Sequence, residues 1–377
     1  MQVLWLNPKN KVFTRPQFAS TKWVNVIQMP FYGKPRNETR PLFDRTGTFK
    51  LWPACLYIDT TKFPIPQLTA ITDQFNDLCT ARARYIANQA AIKNEKIMLF
   101  YSGGLDSTCV LCSFILELGL AECQQRIIIC MTDDGIEENP IFYNQFIKDK
   151  FETVDTLDFF YGRVADQYLD CVYVTGDIGL YAASGSIGPT GTAGGLLAVY
   201  QQYPHFFQGG NAKDHLTEYY QVASDTLGIA NPIDAALELL DGSAQAVGVK
   251  NYTFHDYWWW LNFNFKFHDQ YFWIMQHCSY LLKKRPLGKE YWDQHYIPFF
   301  GNAKFQLWDY TNKEYLVKYV IDGGKISEYK KPLRDLIYSV NKDNEYRQQK
   351  GKKPSLNLPN NYPKMAVLDQ DYKIHGE

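Results

Sequence analysis

Along the middle of the chain, unbroken apolar runs alternate with stretches whose hydrophobic residues recur every three or four positions. KIMLFYS (96–102) reads as a buried strand, and the spacing that follows predicts a helix from about Asp106 to Leu118. RIIICMT (126–132) is a second continuous apolar run, the pattern of a strand covered on both faces. PIFYNQFIKDKF reads as helical, CVYVTG (171–176) as a third strand, and HFFQGG (205–210), preceded by the amphipathic TAGGLLAVYQQY, as a fourth. Ahead of these, Leu68, Ile71, Phe75, Leu78 and Ala81 predict an amphipathic helix across 66–92. Strand and helix in repeated alternation imply an α/β fold with a doubly wound, mostly parallel sheet.

The flanks differ from this centre. Residues 1–65 carry short β-like runs (VLWL, WVNVIQM, KLWPACLYI) broken by Pro, Gly and Asn, which predicts a small strand-rich N-terminal region. From 226 to 377 the chain turns helical and aromatic, with DYWWWLNFNFKF and WIMQHCSYLL, before a cationic tail rich in Pro, Asn and Lys. Trp258, Trp259 and Trp260 read as helix-packing residues rather than a stacking platform. The organisation expected is therefore 1–65, a central α/β domain at 66–225, and a helical part at 226–377 that completes the site.

Composition narrows the classes. With 377 residues, 46% of them hydrophobic, the chain can bury a large core. A net charge of -1 does not advertise a nucleic-acid binder, although a local basic patch stays compatible with one. Only Cys109 and Cys112 of the eight cysteines form a CxxC, with no second pair at zinc spacing, so buried small hydrophobes are expected there. The start MQVLWLNPKN lacks a basic segment leading into an apolar one, and no run approaches membrane length. The expectation is a cytoplasmic protein with reduced thiols and no membrane partner. The seven histidines form no HxxxH or HExxH, and no GxSxG is present.

The candidate chemistry sits in IMLFYSGGLDSTCVLC (97–112). Without a Cβ, Gly103 and Gly104 allow a tight bend and close approach to a ligand. The first N–H groups of the following helix then point outward, and its dipole favours an anion. Ser102 and Ser107 add hydroxyls at the carboxyl end of a parallel strand, where such sheets bind ligands. Asp106 would repel a bare phosphate, which implies a cation between them; Mg²⁺ suits a carboxylate shared with phosphate oxygens.

Ser102-Gly103-Gly104-Leu105-Asp106-Ser107 resembles the pyrophosphate-binding loop of the N-type ATP pyrophosphatases, a superfamily that includes asparagine, GMP and NAD synthetases, tRNA thiolases and deazaguanine nitrile synthases. The resemblance implies that ATP is cleaved between its α and β phosphates, leaving AMP on a substrate oxygen. The synthetase domain of asparagine and β-lactam synthetases is the nearest in pattern, since a helix precedes the loop strand there too. In that family a Gly-rich acidic turn supplies a second metal-binding Asp; FFQGGNAKDHL occupies its place here, with Asp214 as the equivalent. Thr132 and Asp133 open the turn after the second strand, where the superfamily holds adenine, while Asp134, Glu137 and Glu138 read as an acidic first turn of a helix.

HYIPFFGNAKFQLWDY resembles the family's R-x-PFLD segment in Pro298-Phe299-Phe300, without its Arg and Asp. Lys331, Leu333-Arg334 and Arg347-Gln348-Gln349-Lys350 resemble its K-x-LR and R-x-K tail, in which a lysine stabilises charge developing on phosphate. Lys350 is the first choice for that role, with Lys352 and Lys353 close by and Lys331 as a further catalytic candidate. SGSIGPTGTAGG (184–195) reads as a carboxylate-holding turn or lid, or as a plain loop.

The implied activity is that of an ATP-dependent, AMP-forming ligase that joins a small-molecule carboxylate to ammonia or an amine. The glutamine-dependent synthetases carry Cys at position 2 of a glutaminase domain; Gln2 and the short stretch before the loop imply that nitrogen comes as free ammonia, from an amine substrate or from a separate amidotransferase subunit. Two rivals stand beside this: modification of a nucleobase or tRNA by the same loop, and a nucleotide-binding module without catalysis.

Overall fold

The computed structural model describes residues 3–6, 65–160, 163–176, 203–227, 233–249, 253–260, 263, 291, 294–322, 330–342, 365–368 and 374–375. β1 (Val3–Leu6) pairs antiparallel with β7 (Met365–Leu368), which pairs in turn with β8 (Ile374–His375). The N-terminal strand is thus partnered by a segment from the far end of the chain. The second sheet is five-stranded and all parallel, in the order β4-β3-β2-β5-β6. Its strands are β2 (Lys96–Phe100), β3 (Ile127–Met131), β4 (Glu152–Asp155), β5 (Cys171–Thr175) and β6 (Tyr296–Pro298). From β2 the chain adds strands outward to β4, then returns to the other side of β2 for β5 and β6.

Side chains alternate along each strand, so an apolar run feeds both faces of the sheet. Ile97, Leu99, Ile127, Ile129, Val172 and Val174 enter one cluster, while Met98, Phe100, Ile128, Cys130 and Tyr173 enter the other. The first cluster is covered by α1 (Phe75–Lys93) and α2 (Leu105–Leu118). α1 buries Phe75, Leu78, Cys79, Ala83, Ile86, Ala87 and Ala90, and each fully buried large apolar side chain contributes about 1.5–3 kcal/mol. It stops at Asn94, whose left-handed backbone (φ 56°) ends the helix, and the Glu95 N–H returns to the Ala90 carbonyl at 2.9 Å. The same cluster runs on through Trp258, Trp259 and Trp260 to Leu333, Leu336 and Ile337, so the central and C-terminal parts share one core.

Several expectations are corrected. The helix over 66–92 begins only at Phe75: residues 65–74 are irregular, and Leu68 and Ile71 reach the core from that segment, with the Ile71 N–H bonded to Thr311 Oγ1 at 3.0 Å. Ala81 is exposed rather than on the buried face. HFFQGG is no strand; Pro204–Phe207 forms a 3-10 turn, which Pro204 favours at its start, and Gly209 and Gly210 follow at φ 102° and 113°. β4 and β6 were not foreseen, one because only Val154 of its four residues is buried, the other because it is three residues long. Residue 225 lies near the end of α5 (Ala212–Leu227), which precedes α6 (Ile233–Ala246), α7 (Ala303–Thr311) and α8 (Lys313–Asp322).

The tryptophan reading holds: all three are buried, Trp259 Nε1 donates to Asp309 Oδ2 at 2.8 Å and Trp260 Nε1 to Ser243 Oγ at 2.9 Å. Cys109 and Cys112 are free, fully buried thiols on α2, and burial raises both far above the ordinary thiol range. Cys55, Cys278, the 184–195 run, TAGGLLAVYQQY and most of the 1–65 region lie outside the described residues, or nearly so.

One long-range tie holds the edge strand. Arg82 on α1 donates from Nε to the Phe299 carbonyl at 2.9 Å and from NH2 to the Pro298 carbonyl at 2.7 Å, at the end of β6. Burial lowers its pKa to about 10, so the guanidinium stays charged at neutral pH. Replacing Arg82 with Met strands two carbonyls, and it should lower stability by about 2–4 kcal/mol. Urea denaturation checks this; an unchanged midpoint would contradict the tie.

Candidate functional site

β2 lies between β3 and β5, where the order of strand addition reverses. In open parallel sheets the crevice at the carboxyl ends of such strands is where ligands bind. The sequence 102–107 is carried there. The Tyr101 N–H still extends the ladder to the Cys130 carbonyl at 2.8 Å, after which the chain turns into α2.

Two other turns close on that bend with almost no clearance. Gly103 has φ +74°, and a Cβ there would stand 2.1 Å from the Gly135 carbonyl oxygen and 2.9 Å from Glu138 Cβ. Gly176, at the end of β5, is as tightly placed: its Cβ would meet the Asp106 carbonyl carbon and the Ser107 nitrogen at 2.9 Å. Gly135 belongs to α4 (Asp133–Glu138), which opens the turn after β3. α3 (Leu120–Arg126) links α2 to that strand.

The serines bind within the loop. Ser107 Oγ donates to the Gly104 carbonyl at 3.1 Å, so its lone pairs accept the Ser102 N–H and the Ser102 hydroxyl, each at 3.2 Å. Ser102 Oγ accepts from the Gly104 N–H at 3.3 Å. Ser107 is buried, and its hydroxyl is the clamp that shapes the bend. Gly104 is the N-cap of α2 and no side chain caps the helix there, so its first turn has no capping side-chain acceptor.

Asp106 is half-buried. Its Oδ2 accepts from the ammonium of Lys330, while its Oδ1 is buried with no hydrogen-bond partner. Lys330 is itself buried, stands at φ 55° immediately before α9 (Lys331–Val340), and arrives from 224 residues away. α9 packs along α2, which fixes the backbone of both partners. Lys330 was missed in the sequence; the only signal was the Lys-Lys pair, of which the second member was chosen. Lys331 instead bonds Asp335 four residues on, on α9 itself.

The structure thus joins Ser102, Gly103, Gly104, Leu105, Asp106 and Ser107 to the turn opened by Thr132 and Asp133, of which Thr132 is half-buried and Asp133 exposed. Asp214 lies in the first turn of α5, exposed, next to His215. Burial, then neighbouring His205, lowers the pKa of His215, and His205 Nε2 meets Glu218 Oε2 at 2.9 Å. Among the described residues no three or more His, Cys, Asp or Glu side chains gather where a metal would be held, so the expected Asp106 and Asp214 pair gains no third donor of those types. Lys350 and Lys353 lie outside the described residues. Pro298, Phe299 and Phe300 are buried, and Arg82 supplies an arginine to this segment from α1.

Comparison with protein-family models, curated proteins and solved structures finds no match for this chain. No helix among the described residues is long and apolar enough to cross a membrane.

The close approach makes the two adjacent glycines unequal. Gly104 has φ -71°, and its Cβ would meet only one side-chain atom, Ser102 Oγ, at 3.2 Å, which a shift of a few tenths of an ångström relieves. Gly103→Ala should therefore cost about 2–4 kcal/mol or fail to fold, whereas Gly104→Ala should stay within about 1 kcal/mol of the parent. Thermal denaturation of the two variants separates them, and equal losses would contradict the backbone contact.

Proposed function

We propose that the chain is an ATP-dependent ligase that forms AMP and diphosphate, adenylating a substrate carboxylate and passing it to ammonia or an amine. In this reading the parallel sheet is doubly wound around the 102–107 loop. The observation that carries it is the uncapped start of α2 at the reversal of strand order, fixed by close glycine contacts and bearing a carboxylate with one unsatisfied oxygen. Uncapped amides and the helix dipole suit the diphosphate part of ATP.

Asp106 fits a divalent cation on the same ground: its Oδ1 is buried and lacks a donor. Asp106, with Asp214, would hold Mg²⁺, which when bound neutralises charge on the phosphates. The chain's own part is positioning. The loop amides fix the diphosphate end, so the α-phosphorus is presented to the carboxylate oxygen in line with the leaving oxygen. That oxygen bonds phosphorus as the bond to diphosphate breaks; the amine then bonds the acyl carbon as AMP leaves, losing a proton. Among the described residues the ammonium of Lys330 reaches the loop helix through Asp106, and Lys331, Lys350 and Lys353 remain candidates for stabilising the charge that develops. Thr132 and Asp133 would contact the base.

The test is release of AMP and diphosphate from ATP in the presence of pooled amino acids, small carboxylates and ammonia. Wild type should release both, and Asp106→Asn should lower the rate by about a hundredfold or more. Formation of ADP and phosphate, or AMP release untouched by Asp106→Asn, would remove the reading.

A further inference from the structure

We infer that Lys330 is an internal counter-ion that occupies the cation position at Asp106 until nucleotide draws it away, so that divalent metal and nucleotide bind together and metal alone binds poorly. This rests on the function proposed above. Four observations lead to it. The ammonium of Lys330 contacts Asp106 Oδ2 directly. The other oxygen of the same carboxylate is buried and lacks a hydrogen-bond partner, so no hydrogen-bond donor competes with a cation for it. Lys330 is 8% exposed at its side chain, and a buried ammonium keeps its charge only beside an acceptor. Its backbone is held at φ 55°, which a lysine adopts at a cost, so packing rather than local preference places it there.

A dication and an ammonium cannot share one carboxylate without strong like-charge repulsion. Metal entry therefore requires Lys330 to leave Asp106, and a buried lysine cannot leave unless another anion receives it. The lysine side chain swings on a flexible four-carbon stem while α9 and α2 stay packed. A phosphate on the neighbouring amides offers that acceptor. Each ligand then pays part of the other's binding cost, which is positive coupling through one ammonium group.

Mn²⁺ binding to the full chain, followed by the electron paramagnetic resonance of the free ion, tests this without reference to turnover. Lys330→Met should bind Mn²⁺ in the absence of nucleotide at least tenfold tighter than wild type. Lys330→Arg, which keeps the charge, should not improve on wild type, and adding Asp106→Asn to Lys330→Met should erase the gain. If Lys330→Met does not fold, Lys330→Gln replaces it, since it keeps a hydrogen bond to the carboxylate without the charge. Equal Mn²⁺ affinity in wild type and the neutral variant overturns the inference. Wild type titrated with Mn²⁺ and ATP together reports separately on the functional reading: uptake there with no gain in the variant defeats only the counter-ion, and no uptake defeats the nucleotide site itself.

Discussion

The site depends on backbone meeting backbone. Gly103 against the Gly135 carbonyl, and Gly176 against the start of α2, bring three strand ends closer than any side chain permits. Because β2, β3 and β5 are neighbours in one parallel sheet, their carboxyl ends converge by construction. The glycines let that convergence go to contact. Ser107 then uses its hydroxyl to hold the bend, and the first turn of α2 is left with amides that no side chain caps. A tightly closed corner at the carboxyl ends of three strands results from topology and the absence of side chains at these glycines, before any charged residue is considered.

Charge is added at one point, by Asp106 and Lys330. A buried pair of this kind is weak support for stability, since desolvation offsets its attraction, yet removing one partner is costly at about 3–5 kcal/mol. It ties α9 to the loop helix by holding the ammonium of Lys330 on the Asp106 carboxylate. Arg82 has the complementary task at the sheet edge, where it fixes the turn after β6 to α1. The Phe299 N–H, bonded to the Thr175 carbonyl at 3.0 Å, carries that restraint to the residue preceding Gly176.

What the sequence disclosed was local. The run 97–112 holds strand, bend and helix within a few residues, each with its own pattern, and the structure has them at Lys96–Phe100 and Leu105–Leu118. β3 and β5 were legible because central strands bury both faces. Leu68 and Ile71 misled because irregular backbone brought them to the core that α1 faces, so their spacing imitated one longer helix. HFFQGG misled because aromatic content suits a strand and a surface turn that buries Phe206 alike. Lys330 was out of reach: nothing local tells a lysine just before a helix from the lysine that begins it, and its partner is distant in sequence. Asp214 was foreseen as a metal ligand or a helix-start residue, and only the second position is visible in the described residues.

The central claim is that the start of α2 grips the outer phosphates of a nucleotide. A crystal structure of the full chain with Mg²⁺ and an ATP analogue resistant to α,β cleavage tests it most directly. The account predicts phosphate oxygens within hydrogen-bonding distance of the Leu105 and Asp106 amides, with Lys330 moved from the carboxylate. Nucleotide bound elsewhere, with no phosphate oxygen near those amides, would contradict it.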